Sequence, residues 1–315
     1  MSLLDEFYAN LGASSQVAFH EKFMPAQYRG KLYHYTSPVG LTSILFGDPK
    51  AMTLWASRCD AQNDSLEGKV AVDIYKKVCA EIDGAESIGL NTILPTRTLL
   101  MQSKVDGKIK TIRPECEDFI CCFSKSPDSL PMWNYYAKGN AYEGYNIGVD
   151  IDKLKDSLLH NYQDLEVSSK IYPVIYDEVE QKNLVKSFMQ AVLSKYDPKH
   201  DTSVRYAISN QLAMWRLLFK SKYFEHEKEV RVIISVAKGT SIKKPPMDIK
   251  YRANGMYIIP YIEMKIDKNC MTSIMFGPQQ WNEKQKKNQT EIIKDVIWRN
   301  RYSVDVTHSE VPIRY

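Results

Sequence analysis

KYFEHEKEVRVIISV, residues 222–236, is the stretch on which the fold turns. From Val230 onward it is an apolar run rich in β-branched residues, the composition of a strand. Extended backbone sends alternate side chains to one face, so Glu225, Glu227, Glu229 and Arg231 are expected together, opposite His226, Lys228, Val230 and Val232. Like charges on one face disfavour full ionisation, and an adjacent guanidinium relieves that. Glu227 and Glu229 are therefore candidates for a catalytic acid or base, or for binding a cationic ligand, with Arg231 supporting them. A solvated strand start in which Arg231 pairs with Glu229 explains the same residues.

Outward from this strand, apolar strands alternate with helical patterns. KLYHYTS (31–37) reads as a strand, followed by a helix that Pro38 opens and Gly47, Asp48 and Pro49 close. MTLWAS (52–57) reads as a second strand running into the polar loop RCDAQNDSLEG. Residues 66–104 read as helical, DFICCFS (118–124) as a strand, and SPDSLPMWNYYAKG (126–139) as a helix carrying Met132, Trp133 and Tyr136. YNIGVDI, SKIYPVIY, GMYIIPYIEMKI, TSIMFG and YSVDVTHS are further strands. Residues 180–221 are helical in pattern with a break near Asp197 and Pro198, and a polar helix runs from Trp281 to Arg299. The sum is α+β: a mixed, largely antiparallel sheet core with helical insertions near 66–104 and 180–221. It forms one domain over 31–315 behind an N-terminal helical arm over 1–30.

A chain of 315 residues can bury a large core, and with 44% hydrophobic and 25% charged residues it is an ordinary globular protein. A net charge of +4 is too slight to imply nucleic acid by itself. No basic start leads into an apolar run and no stretch has the length of a membrane span, so a soluble cytoplasmic protein with no membrane partner is expected. Six cysteines without a CxxC pair point to reduced thiols, and six scattered histidines lack zinc-ligand spacing. GxGxxG, Walker and GxSxG patterns are absent, which argues against dinucleotide binding on a doubly wound sheet, kinase-like chemistry and a nucleophile elbow. The basic segments 104–113 and 283–289 read as solvated surface.

Five motifs stand in order: LYHYTS; LWAS with NDSLE; CFS with MWNYYA and YNIGVDI; EHEKEVRVI; and SIMFGP. Together they resemble a bacterial family, the domain of unknown function 2971, whose name carries no activity. More distantly, four features resemble the ADP-ribosyltransferase fold: a His followed two residues on by Thr, a helix with an Ile-Leu pair, an aromatic and serine segment entering a helix, and a late Glu. That resemblance implies an enzyme that uses NAD to modify a macromolecule, protein or nucleic acid, as a bacterial toxin or phage-defence effector. It implies that His34 and Thr36 hold the nicotinamide riboside, with Tyr35 and Ser57 in the same binding set. Tyr136, Tyr135 or Trp133 would stack on the nicotinamide beside Ser124. Glu229, or Glu227 one strand repeat away, would stabilise the positive charge that builds on the sugar. Tyr35 stands where those enzymes often carry a small residue.

Plainer roles fit several of these residues. Asn63, Asp64 and Glu67 either support the site or form a turn running into a helix start. Trp133 and Tyr136, at i, i+3 spacing, also suit core packing. Two other functions use the same groups: a hydrolase or nuclease in which Asp64, Glu67, Glu227 and Glu229 hold Mg²⁺, and a non-enzymatic module that binds a nucleotide or a protein.

Overall fold

The computed structural model describes residues 19–61, 68–99, 101–105, 108–137, 143–162, 167–194, 196, 198, 201–238, 247–279 and 281–312. In chain order its strands are β1 (Lys31–Thr36), β2 (Ala51–Arg58), β3 (Met101–Val105), β4 (Lys108–Ile112), β5 (Cys116–Ser124), β6 (Tyr145–Asp150), β7 (Val167–Pro173), β8 (Glu229–Ala237), β9 (Lys250–Asn254), β10 (Tyr257–Asp267), β11 (Met271–Phe276) and β12 (Asp305–His308). The helices are α1 (Pro38–Phe46), α2 (Lys69–Glu81), α3 (Leu130–Tyr136), α4 (Ile151–Asn161), α5 (Glu178–Leu193), α6 (Asp201–Trp215) and α7 (Glu283–Arg299). Pro38 opens α1 as its position predicts, with Ser37 as the N-cap accepting from the Gly40 amide.

β8 is the spine, and all nine of its residues are buried. One edge pairs with β5 from Glu229↔Ser124 to Ala237↔Cys116, and the other with β7 from Val230↔Pro173 to Val236↔Val167. Val230, Val232, Ile234 and Val236 join a core with residues of α1, α4 and α7, while Ile233 packs with α2, α5 and α6 on the opposite face. A strand covered on both faces has no solvent side, and this explains why its apolar run is unbroken.

The other edge of β5 forks. β1 meets it at Tyr33↔Ser124, and β2 meets it at Ser57↔Ile120 and Arg58↔Phe119. From β1 the sheet continues through β6, β11 and β12, and from β2 through β10 to β9. Among the described residues only β11 and β12 pair in parallel, so this open ten-stranded sheet is largely antiparallel. β3 and β4 form a separate two-stranded ribbon.

Three sequence expectations change here. Residues 222–227 do not extend β8: Ser221 caps a 3₁₀ helix over Lys222–Glu227, and the strand begins at Glu229 after Lys228 turns left-handed at φ 45°. Glu225 is exposed and does not share a face with Glu227, Glu229 and Arg231, because the turn breaks the alternation. The helical reading of 66–104 shortens to α2, since the chain turns at Gly84 with φ 80° and then passes into β3. Over 180–221 two helices stand with a break between Leu193 and Asp201, and helix gives way to turns after Trp215. Of the N-terminal arm, residues 1–18 lie outside the described residues. Phe19 and Phe23 pack on Phe188 at 5.8 and 5.2 Å between ring centres, and Glu21 accepts from Lys170 at 2.8 Å. All six cysteines are free thiols. Among the described residues no helix is long and apolar enough to cross a membrane.

Candidate active site

The fork makes the site. Between Ser124, which faces β1, and Ile120, which faces β2, that edge of β5 has no strand neighbour in the pairing register. The Cys122 carbonyl there needs another donor. His34 supplies it, with Nδ1 3.0 Å from the Cys122 oxygen. A carbonyl only accepts, so Nδ1 carries the proton. Burial lowers the pKa of the ring and keeps it neutral, which leaves Nε2 as an acceptor. His34 lines a cleft of about 70 Å³ with Tyr33, Tyr35, Cys122, Phe123, Ser124, Met132, Tyr136, Glu227 and Glu229.

Behind the cleft lies a buried network of four charges. Arg231 grips Glu229 with two parallel bonds, Nε to Oε1 at 2.8 Å and Nη2 to Oε2 at 3.0 Å, and donates Nη1 to the Leu217 carbonyl at 2.7 Å. Lys220 Nζ spans both carboxylates, 2.6 Å from Glu227 Oε2 and 3.4 Å from Glu229 Oε2. Two positive and two negative groups thus compensate one another, the condition for burying any of them. Burial raises the Glu229 carboxyl, but Arg231 and Lys220 outweigh it and bring its pKa down to about 2. At Lys220 burial lowers the pKa, and Glu229 and Glu227 overcome that to raise it. The Tyr176 hydroxyl accepts from the Glu229 amide at 3.0 Å and fixes the start of the strand. Glu227 is held less tightly. Its Oε1 meets the Tyr136 hydroxyl at 3.4 Å, long for an O–H···O bond, so this oxygen is the least committed of the four.

The structure gathers His34, Tyr35, Ser124, Tyr136, Glu227 and Glu229 around one cleft, with Arg231 directly behind Glu229. Ser124 is already used, donating to the Glu227 carbonyl at 2.7 Å and accepting from the Ser126 amide at 3.1 Å. The Tyr35 hydroxyl is used likewise, donating to Ser126 O at 2.9 Å and accepting from Ser129 N at 3.1 Å. Four expected nicotinamide-riboside contacts lie elsewhere. Trp133 is fully buried, edge-on to Tyr35 at 4.7 Å with Nε1 bonded to Asp128 at 2.6 Å, so its helical spacing serves the core. Thr36 does not line the cleft: its hydroxyl fills the space beside Gly40 in the first turn of α1. Ser57 does not line it either, and accepts instead from Arg252 Nη2 at 3.1 Å on β2. Tyr135 is exposed, with its ring 5.6 Å from that of His226. Asn63, Asp64 and Glu67 lie outside the described residues.

Sequence reasoning missed Lys220, Tyr176 and Cys122. Lys220 follows Phe219, which bridges to Ile175, and its amide donates to the Ile175 carbonyl at 3.1 Å. That contact replaces the helix expected through residue 221. Lys222 and Lys228 stand nearer the glutamates in the chain, so nothing in the sequence singles Lys220 out.

Fold and site define an α+β protein whose forked sheet carries a buried carboxylate and cation network at the fork. Residues 132–232, which hold α3 from Met132 on, the β8 start and both glutamates, match the family described as Protein of unknown function (DUF2971). The match supports the family resemblance over that stretch; LYHYTS, LWAS and SIMFGP lie outside it. No curated protein and no solved structure matches the chain.

Proposed function

We propose that the cleft is the centre of an ADP-ribosyltransferase-like enzyme that uses NAD to modify a macromolecule, with Glu227 as the carboxylate that acts on the sugar. The reading rests on one observation: His34 from β1, Tyr136 from α3 and Glu227 from the turn before β8 line the same cleft. Cleaving an N-glycosidic bond builds positive charge on the sugar, and a fixed carboxylate stabilises that charge. Glu229 is fully engaged by Arg231, whereas Glu227 keeps an oxygen for a ligand. His34 Nε2 suits a ribose hydroxyl, and Tyr136, 37% exposed, offers a ring face. NAD supplies the labile bond between ribose and nicotinamide. The donor set fits its riboside. The volume of about 70 Å³ lies far below the roughly 300–1,000 Å³ of a pocket that encloses a whole ligand, so most of NAD would lie outside the cleft. A divalent cation at these carboxylates would sit against Lys220 and Arg231, which weakens the metal-hydrolase reading on charge.

The test measures nicotinamide release and transfer of label from NAD to protein, DNA or RNA. Glu227→Gln should lower the rate by about 10²–10³ in protein that still folds, with a lower melting temperature because Lys220 loses its nearest counter-charge. Undiminished release by the folded variant would remove Glu227 from the chemistry. No release and no label with any acceptor would leave the cleft to a binding module.

A further inference from the structure

The helical layer of α2, α5 and α6 covers one face of the sheet over β7, β8 and β5. Beyond Ile120 that face continues onto β2, β10 and β9, because directly paired residues share a face: Ile120 with Ser57, Ser57 with Tyr261, and Tyr261 with Lys250. Trp55, two residues from Ser57, stands on the same face and is 42% exposed. Its ring lies 4.7 Å from that of Tyr261, and the Arg252 guanidinium is over it at 5.6 Å. Arg252 also donates to Ser57 at 3.1 Å, which braces the arrangement. An indole held this way on a strand is a platform for stacking a planar ring.

Where β2 ends, a cavity of about 590 Å³ opens. Arg58, Arg97, Arg216 and Lys238 line it, so does the end of β5 at Ile120, and the opposing carboxylates are Asp60, Glu117 and Asp118. Arg58 pairs with Asp60 at 2.7 Å, Arg97 with Asp118 at 3.5 Å, and Lys238 with Glu117 at 3.6 Å. Arg216 is exposed, and among the described residues its side chain has no ion-pair or hydrogen-bond partner. Among the described residues the lining therefore carries one cation in excess, and there the Arg216 guanidinium is unspent. Three residues of strand, about 10 Å, separate Trp55 from Arg58 at the cavity's edge.

We propose that this face binds single-stranded nucleic acid, with a phosphate at Arg216 in the cavity and a base on Trp55. The surplus cation favours an anionic group, and the 42% exposed indole favours a strand whose bases have free faces. An acidic peptide would use Arg216 and leave Trp55 without a partner. The surface lies beside the cleft, since Ile120 lines the cavity and Cys122, two residues along β5, lines the cleft.

The experiment measures fluorescence anisotropy of labelled oligonucleotides of about 12 residues. DNA and RNA are tried single-stranded and as duplexes, alongside an acidic peptide, on the full chain without NAD, so the outcome is independent of the chemistry proposed for the cleft. Single strands should bind, at least about tenfold more tightly than duplex or peptide, and more weakly as salt rises from roughly 50 to 200 mM. Trp55→Ala should weaken binding by about fivefold or more. Arg216→Ala should weaken it and lower the salt slope by about one. Both side chains are exposed, so circular dichroism should show intact folds. Absence of single-strand binding, equal binding of duplex or peptide, or wild-type affinity in both folded variants would overturn the proposal.

Discussion

At Glu229 two opposing effects act on one carboxyl, burial driving it toward the neutral acid and Arg231 with Lys220 holding it ionised. The cations prevail, so the folded-state value, about 2, lies below the ~4.3 of an unfolded chain. A depressed carboxyl contributes stability that is fully present above the unfolded value and is lost as pH falls through the folded one. Stability should therefore decline between about pH 4.3 and pH 2, and Glu229→Gln should lack that part of the decline. Denaturant midpoints against pH measure it, and parallel acid loss in both proteins would contradict the pairing. Arg231→Ala strands the carboxylate in the interior and should cost about 3–5 kcal/mol in equilibrium unfolding. Arg231→Lys should recover only part, because the two-pronged bond needs a planar fork. The spacing of Glu229 and Arg231 on one strand face made this pair legible in the sequence. Lys220 was not legible, since its place depends on the bridge between Phe219 and Ile175, far apart in the chain.

Between the two glutamates, Lys228 holds φ 45°, ψ 48° at the junction of 3₁₀ helix and strand. A residue with a Cβ loses about 1–2 kcal/mol in that region. Lys228→Gly relieves the strain but frees the unfolded chain, so its net effect should stay within about 1 kcal/mol. Lys228→Val, branched at Cβ, should destabilise by more than about 1 kcal/mol in thermal or urea unfolding. Equal midpoints for the two variants would show that the turn relaxes. Alternating charge in EHEKE fits a strand as well as a turn, and contacts from distant segments decide between them. The Lys125 amide donates to the Lys228 carbonyl at 2.9 Å, and Ser124 Oγ donates to that of Glu227. Neither contact is visible in residues 222–236 alone.

Across the whole molecule, protection should follow depth in the sheet. β8, buried throughout and paired along both edges, should exchange its amide hydrogens last, and the edge strands β9 and β12 first. Mass-spectrometric hydrogen exchange resolves that order, and early exchange in β8 would contradict the sheet order. The α+β class and largely antiparallel sheet were readable, because period-two strands and capped helices report local chemistry. The fork was not, because which edge of β5 receives β1 or β2 is a matter of long-range pairing. β5 is laddered to β8 along its whole length, but to β1 by one residue pair and to β2 by two. The sheet is consequently stiff along β8 and compliant across the fork, where His34 is a single stitch over a seam. Anything that wedges into that seam works against few rungs, and pries two arms apart like a hinge rather than tearing a fabric.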